Sequence, residues 1–324
     1  MKHIQGYLEA RRDRVPSAVA IGNFDGVHLG HQQLIHNVLQ SAQQRGLRAA
    51  VYTFQPHPMH VLRKTPPPIL LTTYEQKAQI LESMGIDLLV EETFTPTYAQ
   101  HTPQRFVEEV LCALHTTELF VGPDFRFGHK GQGTFQYLEQ QGPRKGFQPH
   151  QVKAATFQQQ RISSSRIREA CLCGRFEDVH TMLGDPWQMS GLVVHGDGRG
   201  KTLGFPTANL QPIHTLLPPP GVYAGWGAWT QEWHPVAINV GMRPTFSAHT
   251  LQIEAHFPNQ DVKLYQRPLC LAFAKPIRPE QKFDHVQALR TQIKQDIHAL
   301  LQYTQAHTPP QRLPWLPNTP PQTP

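Results

Sequence analysis

The feature that most constrains this chain is a change of hydrophobic period near Trp187. Ahead of it, short apolar runs alternate with segments in which apolar residues recur every three or four positions. Beyond it come short alternating runs separated by turn residues, with no helical repeat until about residue 284. The first pattern demands strands joined by helical crossovers, and therefore a parallel sheet. The second demands antiparallel strands, best closed into a small barrel. One sheet does not satisfy both. The 324 residues are therefore read as two domains, in keeping with roughly 150 residues per domain.

In the first half, Ser17–Ile21 is an apolar run ending at Gly22. Leu34, Ile35, Val38, Leu39 and Ala42 then recur at helical spacing as far as Gly46. Residues 49–54 form the next expected strand. Thr72 and Glu75 make a capping box that opens a helix ending at Gly85. Further strands are expected at 86–90, 118–121 and 151–155, with a helix over 103–115 entered at Pro103. Short helices over 164–173 and 176–183 follow. Ligands on parallel sheets sit at the carboxyl ends of strands, so chemistry is expected in the loops after Ile21, Phe54 and Val121.

In the second half, strands are expected at 189–194, 222–229, 235–240, 251–257 and 269–274. An amphipathic helix over 284–303 carries Val286, Leu289, Ile293, Ile297, Leu300 and Leu301 on one stripe. The expected division is 1–183, 184–306 and a Pro-rich flexible tail over 307–324.

Composition narrows the partners. Thirty basic residues against 24 acidic give a net charge of +6, but they are scattered and form no stripe of the kind nucleic acid requires. The balance suits phosphate-bearing small molecules. Cys112, Cys171, Cys173 and Cys270 offer only one close pair, C-x-C, which supplies neither a zinc site nor a disulfide framework. The polar N-terminus lacks a signal-peptide core, and no run approaches the ~18 apolar residues of a membrane span. A cytoplasmic protein without nucleic-acid or membrane partners is expected.

Three motifs carry chemistry. GNFDGVHLGH, Gly22 to His31, joins the first strand to the first helix. Its glycines allow close backbone approach to a ligand, and the helix start offers free N–H groups to phosphate. His28 and His31 share a face of the opening turn; a metal pair is the rival reading, although no third ligand stands nearby. ISSSRIR, Ile162 to Arg168, places Ser164, Ser165 and Arg168 at an expected helix start, where hydroxyls and a guanidinium suit phosphate oxygens. GRGKTLGFPTANL, Gly198 to Leu210, sets Gly198, Lys201 and Gly204 before Pro206, Thr207 and Asn209. Glycine N–H groups can cradle phosphate, and Thr207 and Asn209 offer oxygens suited to Mg²⁺. A Gly-rich hairpin with a Pro turn is the plain alternative.

The HxGH and ISSxxIR pair resembles the nucleotidyltransferase superfamily. YTFQPHP and VGPDFRFGHKGQGT narrow this to the adenylyltransferase half of bacterial bifunctional riboflavin kinase/FAD synthetases. GRGKTLGFPTANL, GVYAGW, NVGMRPTF and IEAHF resemble the riboflavin kinase module in order and spacing. The resemblance covers about residues 15–303. It implies a Rossmann-like nucleotidyltransferase domain followed by an antiparallel riboflavin kinase barrel with a terminal helix. It also implies FMN made from riboflavin, then FAD made from FMN, with ATP as co-substrate and Mg²⁺ as cofactor.

Carried over residue by residue, the resemblance makes Glu254 the kinase base, with Thr207 and Asn209 on Mg²⁺-ATP. Gly22, Phe24, Asp25, Gly30, Ser164, Ser165 and Arg168 go to the other ATP, with His28 and His31 stabilising its transition state. Asp124, Phe125 and Phe127 go to the flavin. Ser165 stands where the family usually has Thr, and Gln266 where it usually has Gly. Two rivals remain: a kinase whose first half has another acceptor or is silent, and a flavin-dependent RNA- or ribosome-binding regulator on a retained fold.

Overall fold

The computed structural model describes residues 1–62, 66–196, 198–213, 216–244, 249–260 and 262–317. Thr245 and Phe246 of the NVGMRPTF motif, and residues 318–324 of the tail, lie outside them. The chain forms two compact units. One comprises Met1–Pro68 and Tyr74–Ser163; the other comprises Ile69–Thr73 and Ser164–Pro324.

The first unit contains β1 (Lys2–Gln5), α1 (Tyr7–Ala10), β2 (Ser17–Ile21), α2 (Leu29–Arg45), β3 (Arg48–Gln55) and α3 (Pro58–Leu62). It continues with α4 (Tyr74–Ser83), β4 (Leu88–Thr93), α5 (Pro103–Arg105), β5 (Thr116–Val121), α6 (Phe135–Lys145) and β6 (Gln148–Gln151). A small hairpin, β7 (Thr156–Phe157) and β8 (Gln160–Arg161), ends it. The sheet order is β1-β4-β3-β2-β5-β6, and every pairing is parallel. All five residues of β2 are buried, as expected of a strand covered on both faces. Val19 and Ile21 join a core with Phe106, Val110 and Leu138. Ala18 and Ala20 join another with Leu34, Ile35 and Leu81. The strand period of two thus feeds two helical layers. Because β2 has β3 on one side and β5 on the other, the strand order reverses here, and loops leaving β2 and β5 flank a ready ligand crevice.

Several local expectations are revised. β1 and α6 are additional elements, and Pro143 lies inside α6. The strand expected at 151–155 lies earlier, at β6. The helix from Pro103 passes into a π-helical stretch over Phe106–Leu111.

The second unit contains α7 (Ser164–Leu172), α8 (Phe176–Leu183), β9 (Trp187–Val194), α9 (Arg199–Leu203), β10 (Ala208–Pro212) and β11 (Gly221–Ala228). β12 (His234–Pro244), β13 (His249–His256), β14 (Pro268–Pro279) and α10 (Val286–Ala306) complete it. The strands close into an antiparallel barrel ordered β10-β13-β12-β11-β14-β9. β10 was hidden in sequence between Pro206 and Pro212. The packing division at Ser163/Ser164 also differs from the change of sequence period at Leu183–Trp187. Its cause is aromatic: Phe176 of α8 stacks on Trp187 and Phe273 at 6.1 and 5.1 Å and meets Tyr223 edge-on at 5.3 Å. Trp187 Nε1 also donates to Leu71 O at 2.8 Å, which draws residues 69–73 into this unit.

The expectation of a flexible tail does not hold for residues 307–317. Asp185 accepts from the backbone N–H groups of Gln311 and Arg312 at 3.0 and 2.9 Å. Arg312 Nη2 donates to Leu183 O, while Arg312 O accepts from Trp233 Nε1 and Gln188 Nε2. Pro310, Pro314 and Pro317 are buried. Proline composition suggested a flexible tail, but proline rings also bury apolar area without losing a donor.

Candidate active sites

In the first unit the loop after β2 is held in a conformation the chain does not adopt freely. Phe24 and Val27 both have left-handed φ, 52° and 41°, which is strained for a β-branched residue. The strain delivers His28 to the N-cap of α2, where its Nδ1 accepts from His31 N at 3.3 Å. An acceptor at Nδ1 leaves the proton of the neutral ring on Nε2. The two rings stack with centroids 3.7 Å apart and 15° between planes. A Cβ on Gly30 would stand 3.2 Å from His28 Cε1, so glycine here makes room for the ring.

Burial, then the charges of His28, Lys77 and Arg161, hold His31 well below the usual histidine range. It is neutral near pH 7, and its Nδ1 is buried without a hydrogen-bond partner among the described residues. Metal-ligand geometry is lacking: among the described residues no group of three His, Cys, Asp or Glu forms a metal cluster.

Other expected residues of this unit serve in different ways. Phe24 is fully buried, with its ring 5.1 Å from that of His31, and Asp25 is buried. Both side chains shape the loop from beneath. Gly22 N donates to Tyr52 O at 3.2 Å, fixing the exit of β2. After β5, Asp124 is exposed and paired with Arg161. Phe125 is half-buried and stacks on Phe127 at 5.5 Å. Phe127 itself lies in the core against Phe106 at 5.0 Å, which leaves Phe125 as the ring of this loop with a free portion. Tyr98 and Phe54 extend the aromatic wall, with centroids 6.1 Å apart. Neither was singled out from sequence: Phe54 ends an apolar strand and reads as core, and Tyr98 opens a single helical turn that carries no pattern of its own.

Ser164, Ser165 and Arg168 lie on the first two turns of α7, at a spacing that shares a face. Ser163 ends the first unit and Ser164 begins the second, so the motif spans the division.

In the second unit a cavity of about 660 Å³ opens on the barrel, lined by residues that include Thr207, Asn239, Glu254, Arg278, Leu289 and Ile293. Register sets Glu254 on β13 opposite Asn239 on β12, which also lines the cavity, and opposite Asn209 on β10, which is buried beside it and is not one of the lining residues. Asn239 Nδ2 donates to Glu254 Oε2 at 3.4 Å, which orients the carboxylate. Gln252 donates to Asn209 Oδ1. His256 Nδ1 donates to Pro206 O at 2.8 Å, fixing the turn before Thr207. Gly198 and Gly204 bound the short α9 with left-handed φ of 69° and 86°, and Lys201 projects from it exposed.

Opposite, Leu289, Ile293 and Ile297 of α10 give the cavity an apolar wall. Arg278 ties that helix to β14 through a forked pair to Asp296, at 3.0 Å from Nε and 2.9 Å from Nη2. Asn239, Gln252, Arg278 and Asp296 were missed in sequence. Single polar residues in strands and helices carry no local signature; only closure brings them together.

Known proteins resemble both halves of the chain. The FAD synthetase family model matches residues 10–166, and the riboflavin kinase model matches residues 183–304. The bifunctional riboflavin kinase/FMN adenylyltransferase of Bacillus subtilis (strain 168) is 35% identical over 298 residues, 90% of this chain and 94% of that protein. The chain belongs to the bifunctional riboflavin kinase/FMN adenylyltransferase family. The Escherichia coli (strain K12) member is 35% identical over 86% of this chain and 90% of its own.

A crystal structure described as a macrolide-efflux protein from Streptococcus pneumoniae superposes with a TM-score of 0.85 at 26% identity. It covers 94% of this chain and 100% of that one. Among the described residues, no helix here is long and apolar enough to cross a membrane. Gln266, where sequence analysis expected a departure from the family pattern, takes a left-handed φ of 59°, the region that favours glycine, and donates its N–H to Val193 O at 2.9 Å.

Proposed function

We propose that residues 1–183 and 184–306 divide the family's two ATP-dependent steps between them. In the second unit the barrel cavity takes riboflavin, and the γ-phosphoryl group of ATP passes to its 5′-hydroxyl, giving FMN and ADP. Glu254 accepts the hydroxyl proton as general base, steadied by Asn239. Gly198, Lys201, Gly204 and Pro206 shape the ATP site, and the apolar face of α10 suits a flat flavin ring.

The donor set fits Mg²⁺. Thr207 Oγ1 and Asn209 Oδ1 are hard, neutral oxygens, and Asn209 Oδ1 keeps a second lone pair beside its bond from Gln252. A Cβ on Gly196 would fall 2.1 Å from the Asn209 amide and one on Gly200 3.1 Å from Thr207 Oγ1, so both glycines leave these groups room. When bound there, Mg²⁺ supplies charge neutralisation for the phosphates.

In the first unit, the FMN phosphate attacks the α-phosphorus of a second ATP, giving FAD and pyrophosphate without a covalent enzyme intermediate. His28, with its proton on Nε2, and the neutral His31 donate to phosphate oxygens as charge builds in the transition state. Ser164, Ser165 and Arg168, at the start of α7, enter this step on their motif alone, which offers hydroxyl and guanidinium donors suited to phosphate oxygens. Phe125 and Asp124 border the flavin. Residues 1–183 are assigned to adenylyl transfer and 184–306 to phosphorylation, in a cytoplasmic enzyme.

The observation that carries this reading is the presence, in separately packed units, of a capped imidazole pair on a parallel sheet and a carboxylate in a barrel cavity. The test is chromatography of riboflavin incubated with ATP and Mg²⁺. FMN followed by FAD supports the reading. FMN alone overturns the adenylyltransferase assignment, and neither product overturns both.

A further inference from the structure

One buried charge in the first unit takes no part in the chemistry above. Lys77, on α4, is only 3% exposed. Its Nζ donates to Thr53 Oγ1 at 3.1 Å. Thr53 Oγ1 donates in turn to Asn23 O at 3.2 Å, in the loop that leads to His28. The ring of Tyr74 lies 5.0 Å from Nζ. The charges that face it are Glu91 from β4, Asp25 from the loop and Glu75 from its own helix, and Glu91 and Asp25 are both buried. His31, on α2, feels the positive charge of Lys77. A methionine or leucine would fill this volume without the cost of burying an ammonium. The loop it supports is the strained one, with Phe24 and Val27 both left-handed.

We infer that Lys77 is a positioning residue of the adenylyltransferase site: through Thr53 and Asn23 its ammonium holds residues 23–27 in the strained form that presents His28 and His31. The inference rests on the roles given above to those two histidines.

Burial, outweighing the attraction of Glu91 and Asp25, lowers Lys77 to about 8. Above that pH the ammonium becomes a neutral amine, a weaker donor to Thr53 that no longer attracts Asp25 and Glu91, and adenylyl transfer falls. Stability moves the other way. Between about 8 and the ordinary lysine value of 10.5, the unfolded chain binds a proton that the folded chain has released, so this group's contribution to stability rises with pH. Activity that falls while this contribution rises is not what a purely structural lysine produces.

The experiment uses the full chain with FMN, ATP and Mg²⁺, and with riboflavin phosphorylation by the same chain as internal control. In the wild type, kcat for FAD formation is expected to drop above pH about 8. Lys77→Met is expected to lower that kcat by about 10–100-fold, as small misplacements of reacting groups do, with KM for ATP changed by less than about threefold and no step near pH 8. Lys77→Arg, which stays charged, restores part of the rate and also lacks the step. Thr53→Val matches Lys77→Met, and the double variant loses nothing further.

A level wild-type profile through pH 9.5, or unaltered kcat in Lys77→Met, overturns the inference. If Lys77→Met does not fold, the wild-type profile and Thr53→Val decide. His28→Ala with His31→Ala is run in parallel. Normal FAD formation there overturns the histidine assignment itself, whereas loss there beside normal Lys77→Met rates overturns only the role of Lys77.

Discussion

His28 and His31 reach their positions through one loop and one helical turn, whereas Thr207, Asn239 and Glu254 come from separate stretches that only a closed barrel assembles. The first site stores its geometry locally, in two left-handed backbone positions and an N-cap. The second stores it in register: a slip of one residue along β13 would turn Glu254 away from Asn239. Damage near the loop should therefore cost rate without much stability. Damage to barrel packing should cost stability and the kinase rate together.

The sharpest way to break that contrast is Glu254→Gln. It keeps the shape and the bond from Asn239 but removes the base, so riboflavin phosphorylation should fall by about 10²–10⁴-fold. FMN adenylylation by the same protein should continue, as read by product chromatography with each substrate in turn. Equal loss of both activities would show that the sites are not independent.

His28→Ala is next. A lost transition-state donor costs about 10²–10³-fold in turnover, so FMN should accumulate from riboflavin with little FAD, while calorimetry still detects ATP binding. Gly30→Ala then sharpens the local half of the comparison. Its new Cβ presses on the His28 ring, 3.2 Å away, and about a tenfold loss of FAD formation is expected from the small displacement, with the melting temperature little changed.

The smallest effect concerns the boundaries. A fragment of residues 164–317 should fold and make FMN. One of residues 184–306 lacks Phe176 and the docked segment 307–317, and it should melt several degrees lower. Each lost hydrogen bond is worth about 1 kcal/mol, and each kcal/mol about 2–4 °C in a unit of this size. Calorimetry of the two fragments decides; equal melting temperatures would mean that α8 and the segment add nothing.

Much of this architecture was legible in the chain. The five apolar residues of β2, the stripe Leu34, Ile35, Val38 and Ala42, and the change of period at Trp187 gave the two fold classes, because hydrophobic spacing is a local property. The HxGH and PTAN motifs were legible for the same reason: their residues are neighbours in sequence. Lys77 was not, since a lysine on a helix reads as solvated until α4 is seen to bury it. Asp185 was not, since nothing local announces that it will accept two N–H groups from residues more than a hundred positions away.

By itself, the sequence determined that a parallel α/β sheet precedes a β-barrel, that a glycine-bounded loop meets a helix start at His28, and that Glu254 lies on a strand. The tertiary structure decided which partners those residues find. It turned Phe127 and Phe24 into core, docked a proline-rich segment onto the barrel, brought Asn239 to Glu254, and buried Lys77 against Thr53 beneath the loop. The reason is physical. Periodicity and turn chemistry act over a few residues, whereas burial, register and buried hydrogen bonds depend on which distant segments exclude water from one another, and that is settled only when the whole unit closes.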